Sequence, residues 1–512
     1  MKLTGEKARD LLEAQLAEHS EGVDAALSRY CPRVAVNTLH RAIRSVEEFI
    51  NIPMFEIPYH EDVLRLTAIR LDNAFISDPL PAVKLAKSIL DPLFDPQVVS
   101  RYLQTMLQTA AISQTFRIHG QNKLGKQISL DTIGGAIDYY QSRRRHLVIL
   151  LYSMPRSCTG IEVLENLDAL NVLLPVIEQS CISITGFHQK LALLDIYDDF
   201  HLTTDARGFL ASHDYNTLDK GFMEPERASI QVMLEMRREI IGSRKLRPLK
   251  QKVVFSAEEL RNSVKLIQAA YQEFDVNDGD FAALSLLIVA FSRHCSDDYF
   301  VEISKQKFLA ILRAQSTFDP DELYSMLVNS PGDYTANSNA YEPFIESGAT
   351  VVSNVNLLSR YLYAFKNIHL GSRKRFQIHC GFIFEDVVKK DLEELGFNVT
   401  DIKRINRKEF DVVTTYQGAI HNFQCKNNWV DLANVESDRK LFVRYNRSMV
   451  NYYRKALVKE QERENLLKSK LELSEIHHYV ISRFPVICDI PSIINHNEIR
   501  KLPSLISQIG SS

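Results

Sequence analysis

Three stretches decide how the fold is read: Gly381–Val399 (GFIFEDVVKKDLEELGFNV), Glu409–Val413 (EFDVV) and His421–Asn428 (HNFQCKNN). The first reads as a helix that stops at Gly396, a residue suited to the left-handed conformation just past a helix end. FNVTDIK is a candidate strand and INRKE a polar turn. FDVVTTYQG and AIHNFQCKNN are strand-like, with Gly418 marking a hairpin turn between them. A long helical stretch, about Val435 to Leu471, and a buried strand within HHYVISRFPV complete the pattern. The order helix, three strands, helix, strand (αβββαβ) predicts an α/β unit built on a mixed sheet.

Within that unit four residues follow a chemical order. Glu385 sits on the helix, Asp411 at the start of the second strand, and Gln424 and Lys426 on the third. Residues i and i+2 of a strand point to one face, so Gln424 and Lys426 share a side, with the Cys425 carbonyl between them. Asp411 lies across the hairpin, and a helix packed on the sheet brings Glu385 alongside. Phosphodiester hydrolysis needs a hard cation held by oxygen. Such a cation polarises phosphate and activates water. Asp411 and the Cys425 carbonyl are candidate ligands, with Glu385 direct or through water. Lys426 is a point charge that can orient or deprotonate the attacking water. Gln424 offers only an amide oxygen.

This pattern resembles the PD-(D/E)xK nuclease superfamily, in particular the branch with Mrr-type restriction enzymes and archaeal Holliday junction resolvases. The likeness covers roughly residues 375–500. It implies a restriction-endonuclease-like fold and a site made of Glu385, Asp411, Gln424 and Lys426, with Mg²⁺ or Mn²⁺ as cofactor. It also implies DNA as partner, a homodimer that cuts both strands, and a place in bacterial defence or restriction. The chain departs from the pattern at Gln424, where an acid is usual, as in several Mrr-like members. Phe410 stands where proline often precedes the aspartate.

The remainder bounds the answer. The 512 residues predict about three domains, or two large ones. Glycine and proline together are about 7% of the chain, against roughly 12% in average proteins. So few breakers favour an α+β chain whose N-terminal part is mostly helical. We divide it into a helical region 1–242, a second helical region 253–370 and the α/β unit 371–512. Ser243–Lys252 (SRKLRPLKQK) is the candidate linker, Pro331–Pro343 a loop, and Arg143–Arg145 a solvated helix end. Phe281–Phe291, eleven residues, is too short to span a bilayer and reads as a buried helix. With no signal-like N-terminus and seven scattered cysteines without a CxxC pair, a cytoplasmic protein without membrane contact is expected.

Charge is uneven. Residues Gly371–Ser512 hold 23 Lys and Arg against 18 Asp and Glu, a net +5, so the other 370 residues carry −8 of the chain's −3. Arg439–Lys459 has seven basic residues and no acidic one. On a helical wheel Arg444, Arg447, Asn451, Arg454 and Lys455 share one face, opposite Phe442, Met449, Val450, Tyr453 and Leu457. The cationic face is a candidate nucleic-acid contact. Trp429 is expected to pack beside the site, and His477 and His478 to be ordinary strand residues.

Several chemistries fail. Asp275–Leu286 looks like a calcium loop, but its glycine is fifth and its twelfth residue is leucine. An N-capped turn before a helix fits it better. No phosphate loop, dinucleotide fingerprint, HExxH or GxSxG is present. The function expected is a metal-dependent endonuclease, most readily on DNA, with RNA open. A non-catalytic nucleic-acid-binding module and a helical scaffold are the alternatives.

Overall fold

A computed structural model describes residues 2–116, 119–121, 127–205, 208–213, 252–315, 317–428 and 438–509. Trp429, most of the proposed linker and the start of the long C-terminal helical stretch lie outside these residues.

The architecture is α+β, with a mostly helical N-terminal region and mixed sheets. Four helices frame the first part: α1 (Gly5–Leu27), α2 (Pro32–Asn51), α3 (Ile133–Ser157) and α4 (Ile182–Ile196). α2 packs along α3 through a buried aromatic cluster, in which Phe49 stacks on Tyr102 at 4.8 Å and meets Tyr140 edge-on at 5.8 Å. A short antiparallel sheet joins Lys2–Thr4 to His201–Asp205, and that strand to Gly208–Ala211. The run Ala169–Ile196 is long and apolar enough to cross a membrane, yet Leu173, Leu174, Phe187 and Leu191 within it are core residues.

Two expectations for this part are corrected. Arg143, Arg144 and Arg145 are buried in the middle of α3 instead of ending a helix in solvent. Their partners lie far along the chain: Arg143 pairs with Glu178 at 2.7 Å and Arg144 with Glu47 at 3.2 Å. Region 253–370 is not purely helical. Cys295–Ser296, Phe300–Ser304, Thr350–Asn354, Phe344–Ser347 and Val328–Asn329 form a five-stranded sheet in that order. These strands are two to five residues long, too short for a sequence period to emerge. One continuous apolar core runs from Val23 to Cys380, so the first two regions share their interior. Phe281–Phe291 does lie in a helix, Gly279–Ser292, but only one side of it is buried: Phe281, Leu284, Leu287, Ile288 and Phe291 face the core while Leu286 is exposed. Asp278 at its N-cap makes no side-chain capping bond.

The C-terminal part begins with α5 (Lys374–Glu394). Its end is built as expected. Gly396 has φ +88°, its N–H donates to Glu393 O, and the Phe397 N–H donates to Leu392 O. That is the Schellman pattern, closed by the contact of Phe397 with Leu392 in one apolar cluster. The strands follow as β1 (Asn398–Val399), β2 (Val412–Tyr416), β3 (Ala419–Lys426), β4 (Ile476–Ser482) and β5 (Ile493–Asn495), adjacent in that order. β1–β2 and β2–β3 are antiparallel, whereas β3–β4 and β4–β5 are parallel. Gln417 and Gly418, both at positive φ, make the two-residue turn between β2 and β3. INRKE is more than a turn: Arg404–Ile405 and Lys408–Glu409 form a small separate hairpin.

The crossover from β3 to β4 is α6 (Arg439–Gln461) and α7 (Glu464–Leu471). α5 covers one face of the sheet, with Phe384, Val388 and Leu392 against Val412, Phe423 and Ile481. α6 and α7 cover the other. Phe442, Tyr453 and Leu457 cluster with Val480, and Leu467 packs with Phe410, Val413 and Ile420. The cluster around α6 also takes in Ala8 and Leu12 of α1 and Leu191 of α4, so the helical region is seated on the C-terminal unit.

Candidate active site

The site lies where β2 begins. Val412 pairs with Phe423, and the ladder stops there. Asp411 is one residue before it, and its Oδ2 accepts from the Cys425 N–H at 2.8 Å. The carboxylate thus continues the pairing that the backbone gives up. In a strand one residue's N–H and C=O point to the same edge. The Cys425 carbonyl is therefore turned toward the edge that Asp411 occupies. The next residue points the other way, since Lys426 O accepts from the Arg483 N–H beyond β4 at 2.9 Å.

Gln424 and Lys426 share a face, as their spacing requires: Lys426 Nζ donates to Gln424 Oε1 at 3.0 Å. That face is the α6 side. Phe423 and Cys425 look toward α5, which carries Glu385. The four expected residues are therefore gathered where β2 begins and β3 ends, from the two faces of the sheet. Glu385 feels the Asp411 charge, and Asp411 in turn feels the Lys426 ammonium and, more weakly, Glu460 and Arg463.

The electrostatics reflect crowding. Burial raises the Glu385 carboxyl to about 7, and the nearby Asp411 charge adds to the rise. Burial also raises Asp411, opposed by Lys426 and by the Cys425 N–H bond. The Cys425 thiol is pushed well up by burial and then by both carboxylates, so it is no thiolate. Two carboxyls sharing a half-buried edge, with a strand carbonyl turned to it, suit a hard divalent cation completed by water. Glu385, Asp411 and the Cys425 carbonyl would hold it. Among the described residues no three His, Cys, Asp or Glu side chains form a metal cluster. Any cation here therefore leans on carbonyl and water oxygens.

Three neighbours were not singled out from sequence. Lys389, one turn along α5 from Glu385, lowers both the Glu385 and the Cys425 proton affinity. Glu460 near the end of α6 is buried. It accepts from Asn422 Nδ2 of β3 at 2.8 Å and pairs with Arg463. Arg463 in turn lies 4.6 Å from the centre of the Phe410 ring. This brace holds the residue before Asp411. The i, i+4 spacing of Glu385 and Lys389 was a visible signal. Glu460 gave none beyond being the first acid after a long basic run.

α6 shows its amphipathic design. Arg444, Arg447, Asn451, Arg454 and Lys455 are exposed, while Phe442, Val450, Tyr453 and Leu457 are buried. Arg447 is partly spent: its guanidinium donates to Asp195 O at the end of α4 at 2.7 Å. The Asp195 carboxylate binds Arg439 at 2.8 Å and Arg9 at 2.5 Å. Arg9, Asp195, Arg439, Lys440, Arg444 and Arg447 line a groove between α6 and the helical region. His477 is an ordinary strand residue, bonded to Glu475 at 2.9 Å, and His478 is turned toward Glu464 at 3.4 Å.

No protein-family model matches the chain, and neither a curated protein nor a solved structure matches it.

Proposed function

We propose that the chain is a metal-dependent nuclease whose reacting centre is the edge formed by Glu385, Asp411, Gln424 and Lys426, in a PD-(D/E)xK-like unit. One observation carries the reading. A carboxylate is pinned on the N–H of the strand that bears the QxK pair, and the Glu385 carboxyl of α5 is close enough to feel its charge. Mg²⁺ or Mn²⁺ held by Asp411, Glu385 and the Cys425 carbonyl would supply charge neutralisation and an acidified water. The protein's own residues do the rest. The Cys425 N–H fixes the rotation of Asp411. Gln424 aims Lys426, whose ammonium offsets charge developing on phosphate and positions the nucleophile. Exposed Arg444, Arg454 and Lys455 hold the flanking backbone, which makes binding salt-dependent. DNA is the first substrate to try and RNA the second.

The test is cleavage of plasmid, linear duplex, branched DNA and RNA with Mg²⁺, Mn²⁺ or EDTA. Metal-dependent cutting lost in both Asp411→Ala and Lys426→Ala supports the reading. Binding without cutting of any substrate sinks it. A second reading, a binding module without catalysis, is favoured by the Lys426–Gln424 hydrogen bond, which engages the ammonium with a neutral partner.

A further inference from the structure

We propose that the site takes an unpaired nucleic-acid strand, whose bases stack on Tyr452 and Tyr445 of α6; this deepens the nuclease reading and rests on it. Both tyrosines are about half exposed, at 47% and 49%. They are seven residues apart, so they stand on one stripe of the helix, about 10 Å from each other along its axis. That is the span of roughly three stacked nucleotides at about 3.4 Å each. Ser448, small and exposed, lies between them and leaves the interval open.

Tyr452 is tied to the candidate active site. Its ring centre is 5.9 Å from Lys426 Nζ. A base stacked on it would put its own phosphodiester beside the ammonium. Tyr445 carries the Arg444 guanidinium 6.0 Å from its ring centre. Arg444, Lys455 and Lys459 are exposed on the arc of α6 beside the tyrosine stripe, and Arg439–Lys459 contains no acid to repel a backbone. Rings paired with cations along one helix are the two components of single-strand binding. Cations track the phosphates, and aromatic faces take bases without reading them. In a duplex the base faces are already covered by their neighbours, so these rings would have nothing to stack on. The chemistry is common to single-stranded DNA and RNA.

The experiment uses the full chain in EDTA, with one mixed-sequence oligonucleotide presented as single-stranded DNA, single-stranded RNA and blunt duplex. Anisotropy should show at least one single strand bound about 10-fold more tightly than duplex. Tyr452→Ala should weaken that strand about 10-fold and leave duplex binding alone, while Tyr452→Phe, which keeps the ring, should bind like wild type. The DNA and RNA arms then say which strand is preferred. Duplex bound as tightly as either strand, or an equal loss on all ligands, makes Tyr452 a packing residue and overturns the proposal. Cleavage with Mg²⁺ separates the two readings. Single-strand preference with no cutting removes the nuclease and keeps this surface. Duplex cutting abolished by Lys426→Ala, without single-strand preference, does the reverse.

Discussion

The Cys425 N–H donates to Asp411 Oδ2 at 2.8 Å, one residue beyond the point where β2 and β3 stop pairing. A side chain has taken the place of a backbone acceptor. This fixes the carboxylate on a rigid strand instead of leaving it on a loop. The other carboxylate oxygen keeps its lone pairs for a ligand.

Asp411→Asn should therefore separate structure from chemistry. The amide oxygen can still accept from Cys425 and the buried charge is gone, so thermal stability at neutral pH should be no lower than wild type. The anion is gone, and metal-dependent cleavage should fall at least about 100-fold. Asp411→Ala should lose activity equally and also cost about 1–3 kcal/mol, because the Cys425 N–H is left without its acceptor. Calorimetry beside cleavage rates checks both. An active Asp411→Asn enzyme would remove Asp411 from the mechanism.

The raised Glu385 carboxyl makes a pH-dependent statement about stability. Below its ordinary value of 4.5, Glu385 is protonated in both folded and unfolded chains and contributes nothing. As pH climbs from there to about 7, the unfolded chain ionises while the folded one keeps its proton, so stability falls across this window. Above about 7 the deficit is constant. Glu385→Gln should thus gain on wild type in melting temperature between pH 5 and pH 8. Mg²⁺ at pH 8 should raise the wild-type melting temperature and leave Asp411→Asn unmoved. Parallel pH profiles for wild type and Glu385→Gln would show that the Glu385 carboxyl is not raised on folding.

How much of this was legible follows from the range of the interactions. Gly396 announces the end of α5 because a left-handed cap is a local requirement. Gly418 announces the hairpin for the same reason. The i, i+2 rule then places Gln424 with Lys426. Register and partner choice are not local. Nothing near Asp411 says that its oxygen meets Cys425 fourteen residues on. Arg144 looks like a surface cation until Glu47, 97 residues away, is folded against it. The short strands between Cys295 and Asn354 are set by their neighbours in the sheet more than by their own pattern.

Asp195 is a test of how the helical region restrains the basic helix. Its carboxylate neutralises Arg439 and Arg9 on the wall of the α6 groove. Asp195→Ala should cost about 1 kcal/mol or less, since these side chains are partly exposed. It should also tighten nucleic-acid binding. The plot of log affinity against log salt should steepen by about 0.7–0.9 for each guanidinium that gains a phosphate. An unchanged slope would mean that the groove stays outside the nucleic-acid path.

The brace behind Asp411 gives the most demanding stability prediction. Glu460 is 1% exposed and holds both Asn422 of β3 and Arg463, which in turn covers Phe410. Removing one partner of a buried pair leaves the other charge uncompensated. Glu460→Ala should therefore cost about 3–5 kcal/mol. Replacing both partners removes the uncompensated charge, so Glu460→Met with Arg463→Met should recover much of that loss. Activity should not recover with it. The Arg463 plane over Phe410 would be gone, and with it the support for the residue that precedes Asp411. Denaturant melts and cleavage rates on the single and double variants would show this split. A double variant as unstable as Glu460→Ala would place the cost in lost packing around Asn422 rather than in the ion pair.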